Sequence, residues 1–215
     1  MVDRTVGLVF AGYRTEVPTT TQPTSEVPPR VRLLRAAEAL FYGRGIRATG
    51  VEAVLEHAQV ARNTLYHQFG GKDGLVAAYL QDRDDRWRQH WEAAIDACED
   101  PLDRILAIFD ALSTWDRDVV PLTRGCAFLD AQVELSDPQH PAGEVIAAHW
   151  RHLAHRLEEL AGDAGLPSGA EVARDLVLLY RGALSSLSDA PAEDVIAHAR
   201  GVAADLLVGR GAHAR

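Results

Sequence analysis

The chain has 215 residues, 47% hydrophobic and 25% charged, which is enough apolar content to bury a core in one small and one larger unit. Its formal net charge of −9 is unevenly placed: residues 30–80 carry seven Lys/Arg against four Asp/Glu, and residues 81–215 carry thirteen against twenty-four. A basic head on an acidic body would dock on a phosphate backbone through one end only, although acidic surface also serves plain solubility.

Residues 1–29 end in EVPTTTQPTSEVPP and read as a flexible Pro/Thr-rich tail or linker, with an arm along DNA as the alternative; Arg4 and Arg14 are its basic residues. A first helix is predicted from Pro29 or Arg30 to about Arg44, burying Leu33, Leu34, Ala37, Leu40 and Phe41, with Gly43 and Gly45 ending it. Two short helices follow. Val51, Val54, Leu55 and Ala58 share one face, and Val60, Leu65 and Phe69 continue the pattern after a break. A long fourth helix starts at Gly71–Lys72 and runs as far as Glu99, before Asp100-Pro101. Leu80, Trp87, Trp91, Ile95 and Cys98 fall on one side of it, and Gln81–Asp85 reads as a solvated patch. Further helices are predicted over about 102–119, 125–135, 142–164, 168–187 and 191–208. No strand pattern occurs, so the expected fold is all-α. It divides into a tail (1–29), a helix-turn-helix domain (30–78) and a larger helical regulatory and dimerisation domain (79–215).

Between the buried positions of the third helix stand Arg62, Asn63, Thr64, Tyr66, His67 and Gln68, a face rich in donors and almost free of carboxylates. The B-DNA major groove, about 12 Å wide, admits one such helix with its N-terminal residues toward the base edges. Arginine pairs bidentately with guanine and asparagine with adenine, so Arg62 and Asn63 are the expected base readers. Thr64, Tyr66 and Lys72 suit phosphates, which set register.

With the preceding LLRAAEALFYGRGIRATG, this stretch resembles the DNA-binding domain of the TetR family of bacterial transcriptional regulators. Phe41 and Gly45 resemble the F-x-x-x-G closing that family's first helix, and Thr64-Leu65-Tyr66 with Phe69 resembles its T-L-Y-x-x-F recognition core. Lys72 and Leu75 resemble its K-x-x-L, and Thr49 resembles the phosphate-touching residue at the start of its second helix. Two departures stand out. Gln59 occupies the usual turn glycine's place and must take a positive φ, and Ala61 replaces the serine or threonine that caps the recognition helix.

The resemblance implies double-stranded DNA with a palindromic operator as partner, a homodimer, and a small-molecule effector in the body. The body matches the family more loosely, through its helices and the segment RGCAFLDAQVELSDPQHPA. The last two helices are read as the dimer interface, a four-helix bundle across a two-fold axis, although the same pattern suits an internal core. In the first of them Val172, Leu176, Leu179 and Ala183 form one face and Ala173, Val177, Tyr180 and Leu184 another; the second groups Val195, Ala199, Val202 and Leu206. Candidate effector contacts are Trp91, Phe109, Trp115, Phe128, His149, Trp150 and Tyr180, each of which could equally be plain core.

His149, His152 and His155 fan out by about 120° and make a poor metal face, so no metal or cofactor is expected. Cys98 and Cys126 read as reduced core thiols. No stretch reaches the roughly 18 apolar residues of a membrane span, and VGLVFAGY is too short for a signal peptide; a cytoplasmic location is expected. An enzyme is not expected, since no nucleophile motif or phosphate loop occurs and Asp130 with Glu134, one turn apart, reads as a solvated face. The expected role is a repressor released by a ligand, with a ligand-independent regulator, an activator or a helical protein-binding module as alternatives.

Overall fold

The computed structural model describes residues 27–211, so most of the expected tail and its DNA-arm alternative lie outside the described residues. Every regular element among those residues is helical: α1 (Pro29–Ala37), continued by a π-type segment (Glu38–Tyr42), α2 (Val51–Ala58), α3 (Arg62–Phe69), α4 (Lys72–Asp96), α5 (Pro101–Asp118), α6 (Ala127–Glu134), α7 (Ala142–Asp163), α8 (Gly169–Ser186) and α9 (Ala192–Gly209). None of these helices is long and apolar enough to cross a membrane.

The head is built by α1 to α3 on the start of α4. Leu33, Ala37, Val54, Leu65, Leu75 and Val76 meet with almost no exposure, as their helical spacing predicts. Gln59 takes the left-handed conformation at φ 53°, and Arg32 of α1 donates to the carbonyls of Ala58 (3.1 Å) and Gln59 (2.9 Å), satisfying acceptors that α2's end leaves open. Ala61 starts α3 with no side-chain cap. The α3–α4 corner needs glycine: a Cβ on Gly74 would lie 1.8 Å from the carbonyl oxygen of Phe69.

In the body, α5 is the central helix, with Ile105–Phe109 buried on every side between α4, α7 and α9. Asp100 caps it, accepting from the amides of Leu102 (2.7 Å) and Asp103 (3.4 Å). The two apolar faces of α8 find their partners within the chain, in α7 and α9. On α9, Ile196, Ala199, Ala203 and Leu207 turn inward, Val195 and Leu206 are half-buried, and Val202 is 39% exposed.

Two expectations are corrected. The Gln81–Asp85 patch is not solvated throughout, because α4 passes between head and body there: Arg83 and Asp84 are 4% and 1% exposed. Nor does Glu134 stand on a solvated face. Its carboxylate accepts from the backbone amides of Ile46 (3.1 Å) and Arg47 (2.6 Å), tying the end of α6 to the loop that leads into α2.

Candidate functional site

On α3, Leu65 is fully buried and acts as the anchor, which leaves Arg62, Asn63, Tyr66, His67 and Gln68 exposed and Thr64 half-buried. Ala61 and Lys72 flank them at the two ends of the helix, with Ala61 exposed and Lys72 half-buried. Tyr66 is 47% exposed and presents its ring and hydroxyl on this outer face. Arg62 pairs with Glu52 of α2, and both side chains are more than half exposed, so the pair is cheap to exchange for a nucleic-acid contact. Arg30 lies over the ring of Phe69 at 5.4 Å and adds positive charge beside the same helix.

Thr49 is the exception among the expected contacts. It is 2% exposed, and its hydroxyl donates to the carbonyls of Leu40 (3.2 Å) and Gly45 (2.8 Å). The side chain fastens the end of the first helix to the start of α2, and is not available to a phosphate.

A second candidate site lies in the body, a cavity of about 30 Å3 enclosed by α4, α5, α6, α7 and α8. Trp115, Phe128, His149 and Tyr180 line it, together with Arg83, Trp87 and Cys126. The remaining candidates do not reach it. Trp91 and Phe109 are fully buried packing, Trp91 edge-on to His152 and Phe109 against Tyr180, while half-buried Trp150 turns outward beneath Arg181 at 4.3 Å. The three histidines fan out, with His149 inside, His152 half-buried and His155 exposed.

Charged groups on the wall connect this cavity to the head. Arg83 Nη1 donates to Glu38 in the π-type segment at 3.0 Å, and its guanidinium lies over the rings of Tyr42 (4.7 Å) and Trp115 (5.8 Å). Arg86 holds both oxygens of Glu38 at 2.8 Å. Tyr42 donates to the Gly125 carbonyl at 3.0 Å and accepts from the Arg124 amide at 3.3 Å. Asp84 contacts His149 Nδ1 at 2.6 Å and Arg88 at 2.6 Å. Burial opposes ionisation of Asp84, but the hydrogen bonds from His149 and Arg88 outweigh it and hold its carboxyl below the ordinary value. Burial also pushes the Cys126 thiol up, which keeps it protonated and unreactive.

Sequence reasoning missed Arg83, Glu38 and Tyr42. The signal was present: Asp84 stands on the stripe Leu80–Trp87–Trp91, and Arg83 lies between Tyr79 and Trp87, so both occupy core positions of α4.

Residues 33–79 match the family model described as bacterial regulatory proteins of the tetR family. A TetR-family transcriptional regulator from Streptomyces coelicolor superposes with a TM-score of 0.78 at 32% identity, over 85% of this chain and 95% of that one. The chain belongs to the TetR family of bacterial transcriptional regulators. A second TetR-type regulator, from Streptomyces avermitilis, gives a TM-score of 0.73 at 30% identity over 87% of this chain and all of that one. Among curated relatives, the HTH-type transcriptional repressor KstR2 of Mycolicibacterium smegmatis is 31% identical over 93 residues, 43% of this chain and 44% of its own length. The chain thus aligns with less than half of that relative.

Proposed function

We propose that this TetR-family regulator is a homodimeric repressor that holds a palindromic operator through α3 and lets go when a small molecule enters the body. In this reading residues 30–78 are the DNA-binding head and 79–215 the regulatory and dimerising body. The observation that carries it is the physical connection between the two sites: Arg83 lines the body cavity and also holds Glu38 of the head. The repressor relative supports the sign of regulation.

Two recognition helices at a fixed separation select two half-sites about one helical turn apart, which turns a weak reader into a specific one. Leu178 on α8 and Val202 and Val208 on α9 are 74%, 39% and 66% exposed, apolar surface that a second copy would cover. Release follows if the ligand binds the dissociated arrangement more tightly than the operator-bound one. A swing from 1:99 to 99:1 takes about 5.5 kcal/mol of differential affinity.

The cavity's small volume favours one competing reading, a regulator that takes no ligand. Footprinting on the DNA flanking the protein's own coding region tests the first part, with protection of two inverted half-sites expected; protection of a single half-site or none refutes it. Repeating the footprint with a metabolite library separates the two readings, since loss of protection by at least one compound is expected of the first and none of the second.

A further inference from the structure

We propose that the body cavity takes a small monocarboxylate with an apolar, ring-sized body, and that Arg83 receives its charge; this rests on reading the body as an effector domain. The groups around the cavity hold an excess of unused donors. Arg83 is 4% exposed, and among the described residues its one hydrogen-bond partner is Glu38, through Nη1 at 3.0 Å. Four of the five guanidinium N–H groups are therefore unclaimed.

Tyr180 lines the same cavity and is 3% exposed. Burial raises its pKa well above the ordinary value, so it remains a donor. The indole N–H of Trp87, whose ring lines the same cavity, is buried without an acceptor. His149 uses Nδ1 on Asp84, and Nε2 has no partner among the described residues.

A cation with two neighbouring donors, the Tyr180 hydroxyl and the Trp87 indole N–H, is matched by a group that accepts hydrogen bonds, and a carboxylate is the smallest common organic one. The Trp87 indole N–H is buried without an acceptor, so a ligand oxygen would satisfy a donor that the protein itself leaves unpaired. The remaining walls, Trp115, Phe128, Leu112 and Leu184, offer flat apolar surface for the rest of the molecule.

The cavity holds about 30 Å3, room for a couple of water molecules, so the ligand enters by moving a wall. Arg83 is the wall that an anion draws toward itself. A carboxylate competes with Glu38 for the same guanidinium, and Glu38 stays neutralised because Arg86 holds both its oxygens. Binding would thus loosen the contact between α4 and the head at the point where they are joined, which gives the ligand a difference in affinity between the two arrangements.

The test uses the full chain with benzoate and its neutral counterpart benzamide as probes, at constant ionic strength. Binding is followed by calorimetry and tryptophan fluorescence, and operator release is followed separately by fluorescence anisotropy. Benzoate is expected to bind at least about tenfold more tightly than benzamide, the ratio a charge-assisted bidentate contact supplies. Arg83→Met should bring that ratio to about one. Tyr180→Phe, which removes one oxygen and leaves the packing, should weaken benzoate several-fold and leave benzamide unchanged. Glu38→Gln, which removes the competitor, should tighten benzoate.

Equal binding of the two probes, saturable binding of neither, or a preference that survives Arg83→Met overturns the proposal. The outcomes also separate it from the effector reading. Benzoate bound with the operator retained would refute the effector role and leave the anion site standing, whereas release by neutral compounds alone would refute the anion site and leave the effector role.

Discussion

The ion pair between Arg83 and Glu38 makes an asymmetric prediction for stability. Glu38 is 24% exposed and has three hydrogen bonds from two arginines, so Arg83→Met leaves its charge held by Arg86 at 2.8 Å on both oxygens. Methionine keeps the length of the arginine stem and removes a buried charge, which recovers part of the lost contact. The cost should be about 1 kcal/mol. Glu38→Gln does the opposite: it leaves the Arg83 guanidinium, 4% exposed, without a carboxylate, while Arg86 still has Asp82 at 3.1 Å and solvent. Breaking one side of a buried pair in this way costs about 3 kcal/mol. Urea denaturation of both variants at one protein concentration, followed by far-ultraviolet circular dichroism, should place the midpoint of Glu38→Gln well below that of Arg83→Met. A Glu38→Gln cost equal to or smaller than that of Arg83→Met would refute the argument that Arg83 depends on Glu38 more than Glu38 depends on Arg83.

Glu52→Gln frees Arg62 and removes a carboxylate beside the recognition helix; operator affinity should rise about 3- to 10-fold in an anisotropy titration, and a fall would show that the pair aligns Arg62 for DNA. Gly74→Ala should cost about 3 kcal/mol or more and weaken operator binding, because its Cβ meets the Phe69 carbonyl and pushes α3 from α4; an unchanged melting temperature would contradict this. Asp84 is ionised to lower pH in the folded protein than in the unfolded chain. Its stabilisation is therefore full above the unfolded pKa of about 4 and fades as pH falls through the folded value. The stability gap between wild type and Asp84→Asn should narrow as pH falls below about 4, as measured by denaturant midpoints.

The fold was legible because its helices announce themselves by apolar spacing and by breakers: Gly43 and Gly45, Asp100-Pro101, and SDPQHP each fall where a helix ends. The exposed face of α3 was legible for the same reason, since Leu65 fixes which side of the helix is buried and so which residues remain outside. What could not be read were positions decided by long-range partners. Thr49 turns inward because the carbonyls of Leu40 and Gly45 lie beneath it, and Arg83 and Asp84 are buried because Glu38 and His149, 45 and 65 residues away, neutralise them. Local pattern gives a charged residue on a long helix to solvent unless its place on the apolar stripe is weighed against its charge. Of the aromatic residues, Trp115, Phe128 and Tyr180 reach the cavity while Trp91, Phe109 and Trp150 do not. Helical phase alone cannot separate them, because all six are at least half-buried.

In the proposed function α3 reads DNA through Arg62 and Asn63. An anisotropy titration of the full chain on its own flanking DNA against scrambled DNA, run across a salt series with Arg62→Ala/Asn63→Ala alongside, tests it most directly. Tight, palindrome-selective binding is expected of the wild type, and the double variant should keep the steep salt dependence of phosphate contacts while losing selectivity. Equal selectivity in the two proteins, or binding indifferent to salt, would contradict it.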